Sequence, residues 1–143
     1  MTSLPDVNVL LALVAGGHEH HLPAKAWFIA QGADSVAICR VTQMGLLRLL
    51  TNPKVLPAGA FTIRNSWDIS HELLADRRVF FEYEPPELES TWANMMNRPN
   101  IGPSSWTDAY LAAFARKSDY ELVTFDQGFR RWSDATRTLL LHA

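Results

Sequence analysis

The feature that most constrains this chain is its rhythm. Short apolar stretches too brief to be helices alternate with longer segments patterned like helices. The apolar stretches are Leu4-Pro5, Ser35 to Cys39, Val79 to Tyr83, Leu122 to Phe125 and Thr138 to Leu141. Leu4 to Val14 reads as a short strand running into an apolar helix, and helical spacing occupies His20 to Gln31, Val41 to Leu50, Thr62 to Leu74, Glu87 to Met96 and Trp106 to Lys117. Strands separated by helices of ten or more residues predict βαβ units and a mostly parallel sheet. Gly16-Gly17 is placed to end the first helix, Gly32 the second and Asn52-Pro53 the third.

The 143 residues suit one domain spanning 1–143, long enough to bury a core without disulfides or a structural metal. The single cysteine, Cys39, lies in the apolar run Val36-Ala37-Ile38-Cys39. It excludes an internal disulfide and reads as a buried core thiol, which fits a reducing cytoplasm. The start of the chain carries no basic, signal-like segment, and Val9 to Ala15 is too short to span a membrane. A formal charge of −2 does not mark a nucleic-acid binder, so any such binding must be local or bridged by cations.

Ligands of open parallel sheets bind beyond the carboxyl ends of the strands. Three aspartates are placed for that edge. Asp6 follows the first strand, Asp108 lies in the first turn of the clearest helix, and Asp126 follows Leu122-Val123-Thr124-Phe125. Converging carboxylates repel, and a hard divalent cation relieves the repulsion. Each aspartate also has a local reading. Asp6 and Asp126 are natural caps, and Ser105-Trp106-Thr107-Asp108 has the form of a capping box with Ser105 as N-cap. The three together, in the order strand end, helix start, strand end, favour a site.

Four segments resemble the PIN-domain family, specifically the VapC-type toxins of bacterial toxin–antitoxin pairs. They are Leu4-Pro5-Asp6-Val7-Asn8-Val9-Leu10, Arg48-Leu49-Leu50-Thr51-Asn52-Pro53, Trp106-Thr107-Asp108-Ala109-Tyr110-Leu111-Ala112-Ala113 and Val123-Thr124-Phe125-Asp126-Gln127-Gly128-Phe129. The resemblance implies a three-layer α/β/α fold around a central, mostly parallel sheet of about five strands. It implies endoribonuclease activity with Mg²⁺ or Mn²⁺, with Asp6, Asp108 and Asp126 as catalytic and metal-site residues. It also implies an RNA substrate, a cognate antitoxin, a homodimer and no membrane.

One position departs from the pattern. Where many members carry a glutamate early in the helix after the second strand, this chain has Arg40-Val41-Thr42-Gln43-Met44-Gly45. Gln43 offers a carbonyl oxygen but no charge. Two outcomes stay open: a working site with three carboxylates, or an impaired PIN domain that binds RNA or antitoxin without cutting. As a partly exposed helix residue, Gln43 would have no site role at all. Asn8 and Thr124 are site-adjacent by position. Arg48 has two readings, as a phosphate grip or as the partner of a surface acid. Lys54, Arg77-Arg78, Arg116 and Arg130-Arg131 read as solvated charges or an RNA-contacting edge, and His18, His20 and His21 as a solvated run. The five tryptophans divide between core and interface roles.

Overall fold

The computed structural model describes residues 1–56 and 59–142. In chain order the elements are β1 (Ser3–Pro5), α1 (Val7–Val14), α2 (His21–Ile29), β2 (Val36–Ile38), α3 (Arg40–Leu50), α4 (Ile63–Ala75), β3 (Val79–Phe81), α5 (Leu88–Met96), α6 (Trp106–Ser118), β4 (Glu121–Thr124) and β5 (Thr138–Leu140). The five strands form one sheet in the order β3-β2-β1-β4-β5, and every pairing is parallel. The expected alternation and the expected sheet of about five strands are both present.

Strand side chains alternate between two cores, as the two-residue period of a pleated strand requires. Val36 and Ile38 enter one core with Val9, Leu10, Leu46 and Leu50 of α1 and α3. Ala37 and Cys39 enter the other with Met95 of α5 and Ala113 and Phe114 of α6. The sheet is thus sandwiched between helical layers. Burial on both faces explains the near-continuous apolar strand sequences. Cys39 is a buried thiol, as the sequence indicates. Trp132 fills the second core and donates its indole N–H to the Met95 carbonyl at 3.0 Å, which satisfies a polar atom that burial would otherwise strand.

Topology singles out one place on this sheet. Successive connections carry the chain from β1 to β2 to β3 in one direction. The next, through α5 and α6, carries it back past β1 to β4. The gap beyond the ends of β1 and β4 is therefore a topological switch point, where open α/β sheets bind ligands. Helix α3 presses close to α1 here. A Cβ added at Gly45 would stand 2.6 Å from a methyl of Val7, so the glycine permits the approach that seats α1.

Two local expectations are corrected. Helix α1 stops at Val14 with Ala15 as an extended C-cap, and Gly16-Gly17 only continue the following turn. No left-handed glycine is used there; the positive-φ glycine among the described residues is Gly59. Ser105 makes no side-chain cap bond to α6, so the capping box expected for Asp108 does not form. A short 3-10 segment, Pro103–Ser105, leads into α6 and gives its first turn another start.

Candidate active site at the carboxyl edge of the sheet

Asp6 is the residue immediately after β1. Its backbone N–H donates to the Val123 carbonyl of β4 at 2.9 Å, which fixes it at the switch point. One carboxylate oxygen caps α1 by accepting from the Val9 N–H at 3.0 Å. The other accepts from the Thr124 hydroxyl at 2.6 Å. Only 4% of Asp6 is exposed. Burial outweighs both hydrogen bonds and, with the charges of Asp108 and Asp126, pushes its carboxyl up from 3.8 to about 6.

Thr124 joins the first acid to the third. Its oxygen, besides donating to Asp6, accepts from the Asp126 N–H at 2.9 Å. Asp126 in turn accepts from the Gly128 N–H at 2.8 Å and caps the 3-10 segment Gln127–Trp132. The local capping reading is therefore right for Asp6 and Asp126, yet incomplete. Each carboxylate has four lone-pair positions, and a cap consumes one.

Asp108 stands differently. It has no capping bond, sits half-buried in the first turn of α6, and has the guanidinium of Arg131 at 4.0 Å. Its carboxyl is raised by burial and by the charge of Asp126, against the opposing pull of Arg131. The three aspartates thus feel one another although 118 residues separate Asp6 from Thr124 in sequence.

The donor set is all oxygen, which suits a hard cation. Among the described residues, no three His, Cys, Asp or Glu side chains are gathered tightly enough to ligate an ion on their own. The arrangement fits an ion that keeps part of its water shell, as Mg²⁺ does. Asp6 and Asp108 would hold it, directly or through water.

The remaining sequence candidates divide. Thr124 is integral, as the bridge just described. Asn8 lies exposed in the first turn of α1. Arg48 is exposed and lines a shallow groove with Ile63 and Trp67, away from the acids' hydrogen-bond chain. Gln43 is not the partly exposed residue expected. It is 6% exposed, with its carbonyl oxygen accepting from Arg40 and its amide donating to Ser70 of α4 at 3.3 Å.

Two neighbours were not legible in the sequence. Arg131 reaches Asp108 while lying over the Trp132 ring at 4.5 Å. His20 stacks on Phe125, which stands between Thr124 and Asp126, with ring centres 4.6 Å apart. The three histidines are all partly buried, and His21 contacts the Ala12 carbonyl at 2.8 Å, so they are not a solvated run. Only the folded chain brings His20 to Phe125; no local spacing announces it.

Comparison with known proteins bears on the family and the fold. The sequence profile of the PIN domain matches residues 3–134. Ribonuclease VapC41 of Mycobacterium tuberculosis is 41% identical over 142 residues, covering 96% of this chain and 97% of its own. Ribonuclease VapC38 of the same organism is 34% identical, covering 88% and 86%. Among solved structures, M. tuberculosis VapC20, described as a sarcin-ricin loop cleaving toxin, superposes with a TM-score of 0.70 at 19% identity, covering 90% of this chain and 93% of that one. The VapBC2 structure from Rickettsia felis gives 0.69 at 12% identity, covering 99% and 100%. At those identities the structures speak for the fold alone. With the profile and the near-full-length VapC relatives added, the chain belongs to the PIN-domain family.

Proposed function

We propose that this chain is a Mg²⁺- or Mn²⁺-dependent endoribonuclease, the toxin of a type II toxin–antitoxin pair. The observation that carries the reading is the charge coupling of Asp6, Asp108 and Asp126 at the switch point, with Asp6 buried and held at about 6. An acid raised chiefly by its own burial, and further by its neighbours' charges, is costly to the fold and useful to a cation site. Relatives over the whole length are named ribonucleases.

When bound, the cation supplies positive charge at the scissile phosphate and lowers the pKa of coordinated water. Asp6 would hold it, oriented from one side by the Val9 N–H and from the other by Thr124. Asp108, free of capping duty, would be the second holder. Asp126, anchored by Thr124 and Gly128, would orient the attacking water or hold a second ion. In-line attack by that water would form a new P–O bond as the bond from phosphorus to the leaving ribose oxygen breaks, the water's proton ending on the leaving oxygen.

The partners follow from the same reading: single-stranded or looped RNA as substrate, a cognate antitoxin covering the site, and a second copy of the chain. Structures of VapBC complexes such as VapBC-1 from Haemophilus influenzae support an antitoxin. No helix among the described residues is long and apolar enough to cross a membrane, and a cytoplasmic location suits a toxin that meets RNA.

The second reading, a PIN domain that binds without cutting, is favoured by Gln43, whose amide is taken up by Arg40 and Ser70. Manganese titration decides between them. The wild-type chain is expected to cleave RNA with Mn²⁺ and to stop with EDTA. Asp6→Asn and Asp108→Asn are each expected to lose about 100-fold or more, since each removes charge stabilisation worth several kcal/mol in the transition state. Wild-type-like cleavage by both variants, or none by the wild-type chain, rejects the nuclease.

A further inference from the structure

The carboxyl edge of the sheet carries a second cluster of chemistry that the three aspartates do not use. Beyond the ends of β2 and β3 lies a cleft of about 260 Å³, lined by Arg40, Phe81, Glu82, Tyr83, Glu84 and Tyr110. The Glu82 N–H donates to the Ile38 carbonyl at 2.9 Å, which ties the start of this wall to β2. Neighbouring strands lie about 4.8 Å apart, so the cleft is roughly 5–10 Å along the edge from the end of β1. Tyr110 and Asp108 share the first turns of α6, which links cleft and acids on one rigid element.

Internal contacts use only part of what the cleft's residues offer. Tyr83 stands edge-on to Phe81 with ring centres 5.1 Å apart, yet is 76% exposed. The Arg40 guanidinium lies over the other aromatic, Phe81, at 4.6 Å. The exposed Tyr83 ring and the exposed Arg40 guanidinium are thus two separate stacking surfaces at the mouth of the cleft, one aromatic and one cationic. Around them stand acceptors. Glu84 spends one carboxylate oxygen on the Tyr110 hydroxyl at 2.8 Å, and Glu82 one on the Tyr120 hydroxyl. The second oxygen of each glutamate is left to accept.

We propose that this cleft is a nucleobase subsite that selects guanine in a single-stranded RNA, beside the scissile phosphate. The inference rests on the ribonuclease reading. Single-stranded RNA is recognised by stacking splayed bases on aromatic rings or guanidinium planes and reading their edges by hydrogen bonds. Carboxylate oxygens offer acceptors and no donors. Guanine presents adjacent N1–H and N2–H donors, which match. Adenine and cytosine present one amino group beside an acceptor, and uracil one imino group between two acceptors, which carboxylates repel. Arg40 retains N–H groups beyond the one spent on Gln43 and can meet guanine O6 and N7, a standard pairing of arginine with this base.

The test uses the full chain carrying Asp6→Asn, in EDTA, so that neither cleavage nor metal affinity enters. Fluorescently labelled pentaribonucleotides UUGUU, UUAUU and UUUUU are titrated by anisotropy. The guanosine oligomer is expected to bind about ten-fold more tightly than the other two, the low end of discrimination for a well-matched base contact. Adding Glu84→Ala or Tyr83→Ala, both exposed positions, is expected to level the three affinities. Equal affinities in the parent protein, or a preference that survives both changes, overturns the subsite while leaving the nuclease intact. Selective displacement by argininamide of binding that shows no base preference assigns the cleft to a cationic protein side chain and also overturns it. Failure of every oligomer to bind, with no Mn²⁺-dependent cleavage by the wild-type chain, overturns subsite and nuclease together.

Discussion

Two strand ends on one edge of this sheet bury a polar side chain almost equally and use it in opposite ways. After β1, Asp6 is 4% exposed; after β2, Gln43 is 6% exposed. Asp6 carries a charge that its surroundings oppose: burial, Asp108 and Asp126 all raise it, and two hydrogen bonds recover only part of the cost. Gln43 carries none, and its amide is matched donor to acceptor by Arg40 and Ser70. Similar burial thus produces strain at one position and rest at the other, and the strained position is the one able to repay a cation. The difference is a single chemical group, carboxylate against amide, so it can be broken from either side.

Asp6→Asn converts the first position into the second and carries the largest expected effect on stability. In the metal-free chain Asp6 titrates near 6 instead of 3.8. A raised carboxyl costs nothing below about pH 4, where folded and unfolded chains are both protonated. Its cost grows as pH rises from 4 to 6 and is complete above that. The rise corresponds to about 3 kcal/mol. Denaturant unfolding in EDTA at pH 8 is therefore expected to show Asp6→Asn more stable by up to about 3 kcal/mol, with the gap closing below pH 4. A variant less stable than wild type at pH 8, or a gap independent of pH, shows that Asp6 is an ordinary cap and ends the contrast with Gln43.

Thr124→Val sharpens the strain instead of removing it. The valine keeps the shape but deletes the donor to Asp6 and the acceptor for the Asp126 N–H. A cost of about 2 kcal/mol is expected for leaving these buried groups unmatched. Because the Thr124 bond holds the Asp6 carboxyl down, its midpoint is expected to move above 6 in a metal-free carboxyl NMR titration. An unmoved midpoint means that the bond does not set the acid's charge.

The same contrast separates what the chain discloses locally from what it discloses only when folded. The strand–helix rhythm is local, and so are the caps at Asp6 and Asp126, because each bonds an N–H two or three residues away. The misreadings were local as well. Ser105 fits a capping box by letter, but the 3-10 segment before α6 turns its hydroxyl from the role. Gly16-Gly17 fit a helix stop, but α1 has already ended in an extended Ala15. The Thr124 bond to Asp6, the Arg131 approach, the His20 stack and the Ser70 partner of Gln43 all join residues from distant elements. Their signal lies in topology, in the return of the chain past β1 to β4, and not in any spacing.

Gln43→Glu runs the comparison from the other side and carries the smallest expected effect. Arg40 already donates to this side chain, so a glutamate inherits a cationic partner at the edge of solvent. The bond from the amide to Ser70 is lost, but the serine hydroxyl can turn and donate to the new carboxylate. Stability is therefore expected to change by less than about 1 kcal/mol, the ordinary range for a partly exposed ion pair. A glutamate here would restore the acid that the family resemblance expects at this position. Since ligand charge count tunes affinity for hard cations, the Mn²⁺ concentration for half-maximal cleavage is expected to fall roughly two- to five-fold. If it does not move while stability also holds, either Arg40 has neutralised the new charge or position 43 lies out of the cation's reach. Arg40→Gln in the same background then distinguishes neutralisation from distance. Recovery of the metal response places position 43 within reach of the cation, and continued indifference leaves three aspartates as the whole charged site.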